Sequence, residues 1–225
     1  MQRTDPYPIG FSKTVIYEAI NVPVLSRVPQ TTKRLLDLGC GSGALGRRIK
    51  EQIGCEVIGV TNSEPEASLA TEHLDRVLVR DLNGFDPREA GEFDCVIGSH
   101  VLEHLSHPEQ LLKLLQKSLT SEGRLIIALP NVLYWQQRLE FLRGRFKYTD
   151  GGLMDRTHYR FFDWLTAQAL LVDNGYQVEE AQACGAFPLS RYLSRWGRGL
   201  DSVALKTCPG LFGHQFIFVC HVANH

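Results

Sequence analysis

The chain has 225 residues, 44% of them hydrophobic, which is enough to fill the core of one α/β domain. Its 24 basic and 25 acidic residues leave a net charge of −1, so no broad positive surface for nucleic acid is expected. Six dispersed cysteines without CxxC pairing read as reduced thiols; with no basic-then-apolar leader and no apolar run near the ~18 residues that span a bilayer, a cytoplasmic protein without stable membrane insertion is expected.

Residues 11–28 carry apolar side chains at helical spacing broken by Pro23, which predicts a packing helix or lid within an N-terminal segment, 1–33. A regular alternation follows. Strands are predicted at 34–38 (RLLDL), 56–60 (EVIGV), 76–79, 92–98 (EFDCVIG) and 123–129 (GRLIIAL), the last closed by Pro130, with helices at 45–53, 64–73 and 108–119. Strands separated by helices of this length form a parallel sheet with right-handed crossovers. Two late strands, 176–183 and 215–222 (QFIFVCHV), have no regular helix pattern between them and predict an antiparallel pair at one sheet edge.

The segment LLDLGCGSGALG, 35–46, sets Gly39, Gly41 and Gly43 where a strand meets a helix. Glycines there permit a sharp turn and let a ligand reach amides that a Cβ would shield. The run GSGALG also satisfies the GxGxxG pattern of dinucleotide binders. Asp37 decides between ligands, because a carboxylate just before the first glycine repels a pyrophosphate and attracts an ammonium group.

This segment resembles the first motif of the class I S-adenosylmethionine (SAM) dependent methyltransferases. The resemblance implies SAM as cofactor, with Asp37, Gly39, Cys40, Gly41 and Gly43 at its methionine end. In such sheets the second strand ends in an acid that takes the ribose hydroxyls. Here Thr61 and Asn62 stand in that place, able to hydrogen-bond a ribose without a carboxylate's charge-assisted strength, with Glu64 as another source. By the same resemblance Asp81 takes the adenine amino group and Leu82 covers the ring.

The stretch FDCVIGSHVLEHLSHPEQLL, 93–112, is similar to the fourth-strand region of small-molecule methyltransferases, which implies that Gly98, Ser99 and His100 line the transfer site. Glu103 and His104 follow on a short helix. Further on, GLMDRTHYRFF, 152–162, resembles a D-R-T-H-x-R-F-F motif found in a subset of these enzymes, often near glycan or cell-surface biosynthesis. Asp155, Arg156, Tyr159 and Arg160 are the candidate acceptor-binding residues, since the loop gathers anion-binding and titratable groups. For an alcohol acceptor a neutral histidine is the natural base, His158 first, then His104 and His100.

The expected architecture is a single domain over 1–225 of α/β class: a Rossmann-like doubly wound, mostly parallel seven-stranded sheet with an antiparallel last strand and helical cap insertions at 131–164 and 186–213. The second insertion, with Tyr192 and Trp196, is too long for a hairpin turn and reads as a cap or a homodimer surface. The histidines are dispersed and no acidic pair flanks His104 at the spacing of a cation-dependent enzyme, so no metal is expected. The expected partner is a small-molecule or glycan-type acceptor. Two other readings stay open: an NAD(P)-dependent oxidoreductase using the GSGALG turn, and a catalytically silent binding or scaffold protein, which the missing acid at Thr61 would suit.

Overall fold

The computed structural model describes residues 20–188, 190 and 194–223, with the backbone alone for 194–198. Most of the predicted 11–28 helix, Tyr192 and the Trp196 side chain lie outside the described residues. What is described of that helix is one turn, α1 (Val22–Leu25), with Pro23 in its first turn, where its missing N–H costs nothing.

Continuous apolar runs become the centre of the sheet, because parallel strands are covered on both faces and need no alternation. β1 (Arg34–Leu38) is buried from Leu35 onward, and β2 (Glu56–Thr61) is buried from Val57 onward. Between them runs α2 (Ala44–Ile53), and α3 (Glu64–Ala70) leads to β3 (Arg76–Val79). The chain then returns to the other side of β1 with β4 (Phe93–Ser99), α4 (Pro108–Leu115) and β5 (Leu119–Pro130).

The strand order is β3-β2-β1-β4-β5-β7-β6. The order reverses between β1 and β4, and crevices at the carboxyl ends of such strands are where this architecture takes its ligands. β7 (Gly213–Val222) runs antiparallel between β5 and β6 (Tyr176–Gly185), so the antiparallel edge pair is present. Two apolar clusters fill the two faces of the sheet, one around Phe93, Leu112, Phe216 and Phe218, the other around Leu35, Ile49, Ile97 and Ile126.

One stretch differs from the sequence expectation. β5 begins at Leu119, which pairs with Phe93 before a register shift, so α4 is shorter and the strand longer than predicted. The polar run Thr120–Ser121–Glu122 hides that part of the strand from a hydrophobicity reading. The 186–213 insertion, expected to be helical although its sequence shows no regular helix pattern, contains α7 (Ser194–Thr207) and α8 (Pro209–Phe212). The 131–164 insertion opens with α5 (Trp135–Leu142) and leads to α6 (Trp164–Val172), whose start is fixed by a capping box of Asp163 and Thr166.

Candidate active site

Two loops meet at the reversal point. The first is the glycine turn after β1, where Gly39, Gly41 and Gly43 have φ of 65°, 53° and 84°, values that side-chain-bearing residues avoid. Gly39 has a second reason to be glycine: a Cβ there would lie 2.7 Å from Val101 Cγ2. Val101 belongs to the second loop, the one after β4, so the two loops pack directly.

Asp37 is the penultimate residue of β1, just before the turn. It is 2% exposed and its Oδ2 has no hydrogen-bond partner. Burial pushes its carboxyl up to about 7. Cys40 is buried with its N–H donating to the Val60 carbonyl at 2.9 Å, tying the turn to β2, and burial pushes its thiol up. A buried carboxylate with a vacant oxygen beside amides left bare by glycines fits the ammonium end of SAM, and it disfavours a pyrophosphate.

At the end of β2, Thr61 is buried and its hydroxyl donates to Glu66 Oε2 at 2.8 Å, while Asn62 and Glu64 are exposed. Glu66 is a buried carboxylate that the sequence reading missed; the Glu64 alternative lies two residues away and points to solvent. Asp81 is exposed and accepts from Asn83 N–H at 2.9 Å and Asn83 Nδ2 at 3.0 Å, the Asx turn that shapes the loop after β3. Asn83 in turn accepts from Ser106 N–H and Oγ at 3.0 and 2.9 Å, which ties that loop to the one after β4. Leu82 packs half-buried against the core.

At the end of β4, Ser99 Oγ accepts from Asn21 Nδ2 at 3.0 Å. His100 is the non-glycine residue with positive φ, 57°, among the described residues. That conformation costs about 1–2 kcal/mol, and contacts on both sides of the ring hold it. Nε2 meets Gln215 Oε1 at 2.8 Å and Nδ1 lies 3.3 Å from Glu103 Oε1. Burial pulls the imidazole down, but the Glu103 carboxylate more than offsets this and holds His100 above the ordinary value.

Glu103 sits in a short 3-10 turn, Leu102–His104, and is fully buried, with neither carboxylate oxygen in a well-formed hydrogen bond. Its backbone carbonyl accepts from the N–H groups of Tyr159 and Arg160 at 2.8 and 3.1 Å. This latch brings the 152–162 loop over β4. It sets the His104 and His158 rings edge to face, 4.7 Å apart. His104 Nδ1 meets Thr157 Oγ1 at 3.0 Å, and His158 Nδ1 is buried without a hydrogen-bond partner. Burial, reinforced by His104, keeps His158 below the ordinary imidazole value, although Glu103 and Asp155 pull the other way.

The candidate acceptor residues divide. Asp155 is buried and its carboxylate is committed to Thr157, accepting from the N–H at 2.8 Å and Oγ1 at 2.7 Å, so it orders the loop. Arg160 reaches the Ser106 carbonyl and Glu109 Oε1, both at 3.0 Å, and clamps the loop to α4. Arg156 is exposed and pairs with Asp150 at 2.8 Å, and Tyr159 is 73% exposed. Ligand atoms of Glu103, His104 and His158 lie within 4.8 Å of one another, a set that could hold a divalent cation. Linear spacing could not reveal it, because His158 arrives from a different loop.

The fold is the Rossmann-like fold of methyltransferases, and the model for the methyltransferase domain matches residues 18–181. The chain belongs to that family. Among curated relatives, ubiquinone biosynthesis O-methyltransferase of Rhizobium etli is 27% identical over 136 residues, covering 58% of this chain and 54% of that one. The mitochondrial mouse protein of the same name is 27% identical over 177 residues, covering 73% and 46%. The chain spans about half the length of the curated relatives it matches. A SAM-dependent methyltransferase from Archaeoglobus fulgidus superposes with a TM-score of 0.62 at 21% identity over 88% of both chains, and one from Mesorhizobium loti with 0.60 at 16%, covering 88% and 95%. No helix among the described residues is long and apolar enough to cross a membrane.

Proposed function

We propose that the chain is a SAM-dependent methyltransferase that moves a methyl group onto a hydroxyl oxygen of a small-molecule acceptor. The observation that carries this reading is the buried Asp37 carboxylate with a vacant oxygen under a glycine turn at the sheet's reversal point. A ligand ammonium beside it relieves the cost of burying that charge. Asp37, Gly39, Cys40, Gly41 and Gly43 would hold the methionine end, Asn62 the ribose with Thr61 shaping the turn behind it through Glu66, Asp81 and Leu82 the adenine, and Ser99 the edge nearest the transfer.

Bound there, SAM supplies a methyl group on a positively charged sulfur. The chain's own task is alignment, exclusion of water and removal of one proton. His158 takes the acceptor proton, since burial keeps it neutral near pH 7. His104 packs against its ring and, with Glu103 beneath, fixes its orientation. His100, held toward the charged form by Glu103, is the poorer base and instead anchors the β4 loop to β7 through Gln215. Arg156 and Tyr159 offer an exposed acceptor surface, whereas Asp155 and Arg160 act by shaping the loop.

The relatives' names support a hydroxyl acceptor among small molecules, and the DRTHYRFF run is the support for a glycan-type one. A methyl-transfer assay across hydroxylated aromatics, sugar nucleotides and amines separates them. His158→Ala should cut kcat by about 10²–10⁴-fold with S-adenosylhomocysteine binding intact. Transfer undiminished in that variant removes the base assignment, and binding of NAD(P) without S-adenosylhomocysteine restores the oxidoreductase reading.

A further inference from the structure

Helix α5 and the segment after it expose what a packed helix hides. None of the eight residues of α5 is buried, and every residue from 142 to 150 is exposed. An amphipathic helix on a globular domain ordinarily turns its apolar stripe inward. Here Leu142 is 84% exposed, Phe146 57%, Tyr148 53% and Leu139 41%.

The rings in this region lean on one another. Phe141 stacks on Phe146 at 5.5 Å, Tyr148 meets Phe146 edge-on at 5.4 Å, and Phe146 meets Phe161 at 6.2 Å. Phe161 in turn touches His158 at 5.9 Å, so the exposed cluster is continuous with the candidate base. Between Trp135 and Arg160 six Arg and Lys residues face three Asp and Glu, a local +3 on a chain of net −1. Glu140 partly neutralises Arg143 and Arg145, at 2.7 and 3.6 Å, and Lys147 is exposed beside them.

We propose that residues 135–160 dock the protein on an anionic phospholipid surface, with Leu139, Leu142, Phe146 and Tyr148 at the headgroup boundary and Arg143, Arg145 and Lys147 against the phosphates. Exposed aromatic and aliphatic side chains interleaved with long cations are what the interface of a charged leaflet accepts, because the stems bury in the apolar zone while the charged heads stay wet. Charge argues against the rival occupant: a two-fold dimer through this face would set one net-positive patch, Arg143, Arg145 and Lys147 with Glu140 alone to offset them, against its copy. The contact lies on the membrane, since the described helices are too short to span it.

The root of α5 also lines a groove, formed by Tyr134, Trp135 and Gln136 against Phe187 and Pro188, in which Trp135 Nε1 is buried without a partner. An amphipathic acceptor could pass from the leaflet into this groove. That step rests on the methyl-transfer reading; surface binding does not.

The test is co-flotation of the full chain with vesicles of phosphatidylcholine alone and of equal parts phosphatidylcholine and phosphatidylglycerol, for wild type and the double variant Leu142→Glu/Phe146→Glu. Wild type should float with the anionic vesicles only, release at high salt, and lose at least about tenfold in partitioning in the variant. An unchanged melting temperature shows that the variant folds. Absence of wild-type flotation, flotation equal in the variant, or a wild-type dimer that the variant abolishes in sedimentation overturns the proposal. Flotation by a protein that fails to bind S-adenosylhomocysteine supports it and sinks the methyl-transfer reading alone.

Discussion

Asp37→Asn separates the cost of the donor cradle from its use. The Asp37 carboxyl rises from 3.8 to about 7 because burial penalises its charged form. That rise is equivalent to about 4 kcal/mol at pH values above 7. The sign is fixed: the folded state holds the proton more tightly than the unfolded chain, so the wild type loses this stability as pH climbs from about 4 to about 7. Asparagine keeps the shape and never ionises. The variant should therefore match wild type below pH 4 and outlast it at pH 8, by up to about 4 kcal/mol or roughly 10 °C in Tm for a domain of this size. S-adenosylhomocysteine should bind about 10- to 100-fold more weakly to the variant, since a charge-assisted hydrogen bond is lost. Wild-type affinity should fall with pH below 7. Thermal melts of the ligand-free proteins across that range and calorimetric titration at two pH values measure both effects. Equal melting temperatures at pH 8 together with equal affinities would refute the reasoning.

Gly39→Ala adds a Cβ at φ 65°, 2.7 Å from Val101 Cγ2, and should destabilise by about 1–2 kcal/mol from the backbone alone, with loss of S-adenosylhomocysteine binding beyond what the stability change explains; urea unfolding and calorimetry measure the two. The kcat profile should hold constant down through neutral pH and fall on an acid limb below the ordinary imidazole range, because His158 is depressed and must be neutral to act; a limb above that range would transfer the role to a group held like His100. Zn²⁺ should inhibit and a chelator restore activity, since an ion among Glu103, His104 and His158 occupies the base's lone pair; chelator-induced loss of activity would mean that a cation is required instead.

Strands β1, β2 and β4 were legible because a strand covered on both faces is one apolar run, and RLLDL and EFDCVIG admit little else. The glycine turn was legible because its geometry is local: three positive φ values call for three glycines within five residues. The histidine cluster was hidden, since His158 is brought to Glu103 and His104 by hydrogen bonds of its neighbours, Tyr159 and Arg160 N–H to the Glu103 carbonyl and Thr157 to His104, across loops far apart in sequence. Glu66 was hidden for a similar reason: it looks like an ordinary first-turn acid until Thr61 is seen to donate to it. Helix α7 shows no regular helix pattern in sequence, and Gly197 and Gly199 lower its propensity. Asp155 and Arg160 were read as acceptor residues from their type, which carries no sign that Thr157, Ser106 and Glu109 would be their partners.

The position of β7 has a bearing on how the molecule comes into being. This strand is synthesised after β6 yet lies inside it, between β5 and β6, and it carries Gln215 to the ring of His100. Until the ribosome has released β7, β6 has no neighbour in the sheet and β5 presents an open hydrogen-bonding edge, the condition in which nascent chains pair wrongly. Closing the sheet and seating His100 thus become one late event, so a molecule caught during synthesis would have its donor cradle's strand formed but its transfer side still unassembled.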